Sequence, residues 1–171
     1  MSISMYQASV PVLVRGLTNL QTFLGKAEAH AAEKQIDPLV LTGARLFPDM
    51  LPLKRQVCIA TDTAKGCAAR LAGVEAPKYE DFEQTFDELD ARIQKTIDYL
   101  KEFKPEQIDG SEERPITLKM RTGPVEFVGL GYLLHFALPN FFFHTTTAYD
   151  ILRHNGVDLG KLDFLGRSTL G

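Results

Sequence analysis

Four stretches of the chain repeat their apolar residues every three or four positions, the spacing of one helical face. The first runs from about Met5 to Lys34, with Tyr6, Val10, Leu13, Leu17, Leu20, Leu24, Ala27 and Ala31 in one stripe. Pro11 lies in its first turns and either kinks the helix or marks a later start. Asp37-Pro38 reads as a cap and first-turn proline for a short helix over Leu39 to Leu46. The second long helix is entered between Pro48 and Pro52 and ends near Leu71, ahead of Gly73. Its stripe of Met50, Leu53, Val57, Ala60, Ala64, Cys67 and Leu71 is small in the middle, so a neighbouring helix can come close. The third runs from about Tyr79 to Phe103 through Phe82, Phe86, Leu89, Ile93, Ile97 and Leu100, and Pro105 ends it. The fourth runs from about Leu130 to His154, and Asn155-Gly156 stops it.

Between the third and fourth helices the period changes. Residues Ile116 to Met120 alternate with period two, Arg121-Thr122-Gly123-Pro124 punctuates, and Val125 to Val128 follows. This predicts a small β-hairpin or an ordered crossover. The tail from Val157 to Gly171 is expected to pack through Leu159, Phe164 and Leu165. Together these elements predict an all-α fold, an antiparallel four-helix bundle forming one domain over residues 1–171, with the hairpin in its long connection.

Composition narrows the function classes. The chain has 171 residues and a net charge of −3, and it has no run of Lys and Arg, which argues against a nucleic-acid partner. The acidic excess between Glu75 and Glu113 reads as a solvated helix face. Cys58 and Cys67 sit nine residues apart on one helix, so they project to opposite sides and cannot pair. There is no basic leader and no long apolar run. A cytoplasmic protein without a membrane span is expected.

The fourth helix carries the candidate chemistry. Taking about 100° per residue, Leu133, Ala137, Asn140, Ala148 and Ile151 share a face with His144. His144 and Asn140 therefore point inward, one turn apart, whereas His135 and Arg153 point outward and His154 lies at the edge. An inward histidine on such a stripe is either satisfied by a neighbouring helix or lines a ligand pocket; both readings stand. The Asn140 amide could also serve the carbonyl that Pro139 leaves without its donor. His30 reads as a surface histidine. Phe136, Phe141, Phe142 and Phe143 cover most of the helix circumference, so either the hairpin or a second subunit covers the outer rings, and a homodimer is expected.

The run HFALPNFFFHTTTAYDILRHNG from His135 to Gly156 resembles the final helix of a bacterial and fungal family of unknown function in the DinB/YfiT-like group. The segments Arg45 to Met50, Arg70 to Gly73 and Gly160 to Gly166 match it too, so the resemblance spans nearly the whole chain. It implies a four-helix bundle, often dimeric, in which many members hold a divalent metal such as zinc or nickel through three histidines. One is early in the second helix and two form an H-x3-H pair on the last. Here His144 matches the last ligand, Asn140 stands where its partner would be, and Gln56 or nearby Arg55 stands at the second-helix position. Amides are poor ligands for these metals. The resemblance thus implies a site of His144, Asn140 and Gln56 with a degenerate metal centre, His144 being its one remaining metal ligand. Two functions follow: a small-ligand-binding or structural module, or a metal- or thiol-dependent enzyme of the DinB/YfiT group. No catalytic residue can be assigned.

Overall fold

The first helix starts where its cap is, not where its proline is. In the computed structural model, which describes residues 3–120 and 122–166, α1 spans Met5–Lys34. The Ser4 hydroxyl accepts from the Gln7 N–H, and the Gln7 side chain accepts from the Ser4 N–H. This reciprocal box fixes the start ahead of Pro11, so the proline lies inside the helix on its exposed side. Asp37 caps α2, Pro38–Gly43, which is shorter than expected. Pro52 directly precedes α3, Leu53–Ala72, which closes on Gly73 at φ 73°. Met50 stays outside that helix.

The third long helix corrects the sequence reading. It is α4, Phe86–Lys101, and it starts seven residues after Tyr79. The reason is a second capping box, in which the Thr85 hydroxyl accepts from the Glu88 N–H and the Glu88 carboxylate accepts from the Thr85 N–H. Residues 79–85 are irregular, and Phe82 is exposed instead of joining the stripe. A single turn, α5, Pro105–Ile108, follows.

The hairpin is present as β1, Pro115–Met120, and β2, Gly123–Val128. The strands are antiparallel, with Pro115 opposite Val128 and Met120 opposite Gly123. Arg121 lies outside the described residues. Ile116 and Leu118 point inward and are buried. The chain turns from β2 into the last helical run at Gly129, where a Cβ would sit 1.9 Å from the Ser111 carbonyl oxygen, so only glycine fits.

That run is continuous but not uniform. It comprises α6, Gly129–Tyr132, a π-helical turn over Leu133–Ala137, and α7, Leu138–His154. The Leu138 N–H reaches the Leu133 carbonyl, five residues back. The widened turn lies just before Pro139, which lacks an N–H and whose ring would crowd the carbonyl of a regular turn. A final turn, α8, Lys161–Leu165, follows. Phe164 packs against Phe23 and Tyr149. Leu159 is buried as expected, but Leu165 is exposed.

The chain is thus mainly helical with a small two-stranded sheet. α1 packs on α4 and α7, and α3 packs on the same two helices. The alanines of α3, Ala60 and Ala64, are fully buried, and α3 and α7 make the most extensive helix contact. No helix among the described residues is long and apolar enough to cross a membrane.

Candidate functional site

Two polar pairs bridge α3 and α7. Gln56 meets His144, with Oε1 2.7 Å from Nδ1. Seven residues further along α3, the Thr63 hydroxyl accepts from Asn140 Nδ2 at 2.8 Å. The pairing descends α7 as it ascends α3, as antiparallel helices require. Leu133, Ala137, Ala148 and Ile151 are fully buried beside this seam, and His144 is 9% exposed. His135, Arg153 and His154 face outward, and His30 is half-buried on α1 near Gly156.

The hydrogen bonds fix the amide orientation and the tautomer at the Gln56–His144 pair. The Leu51 carbonyl can only accept, so the group 3.0 Å from it is the Gln56 amide nitrogen, which donates. The Gln56 oxygen then faces His144 and must accept from Nδ1. The imidazole is therefore the Nδ1–H tautomer, and Nε2 carries a lone pair. Nε2 has no hydrogen-bond partner among the described residues. It is not sealed away either, since Ser111 Oγ is the buried side-chain polar atom without a partner among the described residues. Burial lowers the proton affinity of His144, because an imidazolium there would lose hydration.

Asn140 is half-buried, and its amide nitrogen is committed to Thr63. It neither serves a carbonyl near Pro139 nor shares the partner of His144. The three residues singled out from sequence are thus brought to one helix seam, with Gln56 on His144 and Asn140 on a separate partner.

A metal held in the manner of the DinB-like group does not fit this seam. One imidazole nitrogen is available, His144 Nε2. Nδ1 is engaged, and both ends of the Gln56 amide are in hydrogen bonds. Zinc and nickel sites need three or four basic donors, which this seam does not supply.

A second polar centre was not anticipated from sequence. Arg92, on the buried face of α4, donates through Nε to Thr61 at 2.8 Å and through Nη1 to Glu83 at 3.0 Å and the Glu80 carbonyl. Its Nη2 lies 2.9 Å from Asp62 and 3.1 Å from Asp81. Asp81 also pairs with Arg55, and Lys65 pairs with Asp62. The Tyr79 ring lies against Lys65, Arg92 and Lys95. So the acidic stretch is not simply a solvated face, because Glu83 is buried and Asp81, though exposed, pairs with the buried Arg92. The signal was Arg92 itself, a lone cation between Leu89 and Ile93 on the apolar stripe.

Cys58, Asp81 and Glu83 bring three possible metal-ligating atoms within 4.8 Å of one another. Both carboxylates are already paired with guanidinium groups, Asp81 with Arg55 and Arg92 and Glu83 with Arg92. Burial also pushes the Cys58 thiol up to about 12, so it is not a ready thiolate. Cys67, fully buried, is raised likewise. Both cysteines are free.

A cleft with a volume near 1060 Å³ lies elsewhere, between α1, α7 and α8. Phe142 and Thr145 line it from α7, but His144, Asn140 and Gln56 do not.

These features define a mainly helical protein with a small two-stranded sheet and a polar seam between α3 and α7. The chain is similar to a DinB family member protein from Shewanella denitrificans of known crystal structure, at 40% identity and a TM-score of 0.89, over 97% of this chain and 94% of that one. Residues 5–165 match the model of a domain of unknown function, DUF1993, and the chain belongs to that family. No curated protein matches it.

Proposed function

We propose that the chain is a small-ligand-binding module in which α1, α3, α4 and α7 form an antiparallel four-helix bundle and the metal site of DinB-like proteins is degenerate. The observation that carries this is the Gln56–His144 hydrogen bond. It uses one imidazole nitrogen and both ends of the amide to hold the ring, and it leaves a single acceptor at the surface of the helix seam.

An enzyme is the second reading. A neutral imidazole with a bare nitrogen is what a general base requires, and the same hydrogen bond favours it. No carboxylate contacts the ring, however, so nothing polarises it further. The two thiols are too far raised for thiolate chemistry without a partner.

Elemental analysis of protein purified without an affinity tag tests the proposal, together with zinc and nickel titration of the wild type and His144→Gln. The expected result is no stoichiometric metal and no difference between the two proteins. Stoichiometric zinc or nickel lost in His144→Gln would overturn the degenerate site and favour a metal-dependent enzyme.

A further inference from the structure

We propose that His144 Nε2 is the recognition atom for an uncharged, partly apolar ligand that presents one hydrogen-bond donor, a hydroxyl or an N–H, and that Gln56 is the residue that positions it. This rests on the small-ligand reading above and names the ligand class.

The inference is one of elimination at named atoms. Nδ1 is spent on Gln56, one N–H of the Gln56 amide is spent on the Leu51 carbonyl, and Gln56 is only 2% exposed, so its second N–H does not reach the surface. What the pair offers outward is one lone pair and no donor. Carboxylates and phosphates are bound by donors, so they find nothing to hold them here. A cation could donate to Nε2, but no carboxylate contacts the imidazole, and a buried charge without a counter-charge is disfavoured. The walls agree with an uncharged ligand. The Phe143 ring packs edge-on against the imidazole, with centroids 5.2 Å apart, and is itself 57% exposed. Leu51, whose carbonyl anchors Gln56, is also exposed. The Phe143 ring thus gives a ligand body a solvent-facing apolar wall beside the imidazole.

The orientation is built in, not left to the ligand. If Gln56 turned its amide nitrogen toward His144, its oxygen would face the Leu51 carbonyl, two acceptors at 3.0 Å. The backbone therefore fixes the amide, the amide fixes the tautomer, and the tautomer fixes which kind of ligand is accepted.

The test uses the full chain labelled with 15N-histidine and long-range proton–nitrogen spectra at mildly alkaline pH. His144 should show a protonated Nδ1 and an unprotonated Nε2. Gln56→Leu should lose this bias and give a mixture of tautomers, a spectroscopic change that loss of packing alone would not produce. The probes are 4-fluorophenol, which has a donor on an apolar ring, and 4-fluoroanisole, in which that donor is blocked. The phenol should shift the His144 Nε2 resonance saturably, and the ether should bind at least roughly fivefold more weakly. A protonated Nε2, an equal response to both probes, or a response to neither would overturn the proposal, and the wild-type measurements decide it even if Gln56→Leu does not fold. The two readings fail separately. Stoichiometric metal on His144 defeats the metal-free module, whereas a metal-free protein that does not distinguish phenol from ether defeats this assignment alone.

Discussion

Arg92 of α4 and Glu83 of the preceding loop form an ion pair at 3.0 Å in which the two residues are only 4% and 6% exposed. Charges this deep are stable only while paired, since each loses several kcal/mol of hydration on burial. The guanidinium meets the need by using all of its edges, reaching Thr61, the Glu80 carbonyl, Asp62 and Asp81 as well. Its structural effect is to tie residues 79–85 to α3 and α4, a stretch with no helix or strand of its own.

Removing Arg92 should therefore be far more costly than removing a surface charge. Arg92→Met is expected to lower unfolding free energy by about 3–5 kcal/mol, because Glu83 is left buried and uncompensated. The double variant Arg92→Met with Glu83→Gln should recover part of that loss. Urea denaturation checks both. A loss below about 1 kcal/mol for the single variant would mean that the pair behaves like an exposed one.

The same residue shows where sequence reasoning stops. The stripe Leu89, Ile93, Ile97 correctly placed a buried helix face, and Arg92 was visible on it as an exception. Its carboxylates come from α3 and from a loop, at separations no helical period encodes. The Thr85-x-x-Glu88 motif was also legible, and weighting it above the aromatic at Phe82 would have started α4 at its true position. At the seam between α3 and α7, helix phase placed His144 inward correctly. Asn140 shared that phase, but its partner Thr63 depends on the relative height of two helices, which follows from packing. Gln56 was found by resemblance, not by periodicity. The π turn before Pro139 was hidden because a proline announces a disturbed turn without saying which kind.

Substitutions at His144 separate hydrogen bonding from charge. His144→Gln supplies an amide donor to Gln56 Oε1 and should leave stability within about 1 kcal/mol of wild type. His144→Leu leaves that buried oxygen unpaired and should cost about 1–3 kcal/mol. Thermal and urea denaturation of the two proteins give the comparison. Equal stability of the Leu and Gln variants would show that the oxygen finds water instead.

The pH dependence of stability should carry the mark of His144. Burial lowers its folded-state pKa, while the unfolded chain takes up its proton near the ordinary value of about 6.5. Below that pH the unfolded state binds more protons, so stability falls as pH drops. The contribution is fully present above about pH 6.5 and is lost between there and the folded-state pKa. Asp81 acts in a separate, more acidic window. Its own burial raises its pKa, but hydrogen bonds and charge from Arg55 and Arg92 outweigh that and hold it below the usual carboxylate range. Unfolding free energies of wild type and His144→Gln, measured from neutral to mildly acidic pH, should diverge in slope only in the histidine window. Parallel curves there would mean that His144 charges freely in the folded protein.

The aromatic surplus on the last helical run bears on assembly. The hairpin takes up part of it, since Phe127 of β2 packs on Phe136 and Tyr132, and Phe141 turns fully into the core. Leu130, Leu134 and Phe142 remain exposed along the same run, with no element of the chain left to cover them among the described residues. Leaving large apolar side chains in water forgoes roughly 25 cal/mol for each Å² that burial would remove, and a second copy offers the matching surface by two-fold symmetry. We propose that the chain is a homodimer through this face. Sedimentation equilibrium at micromolar concentration should then give twice the 19.1 kDa chain mass. Leu134→Glu combined with Phe142→Glu should give a monomer with unchanged helical content, because these side chains project outward and a carboxylate at the dimer contact would be buried without a partner. A wild-type protein that sediments at one chain mass across the accessible range would reject the dimer and leave the exposed rings to a different partner or to solvent.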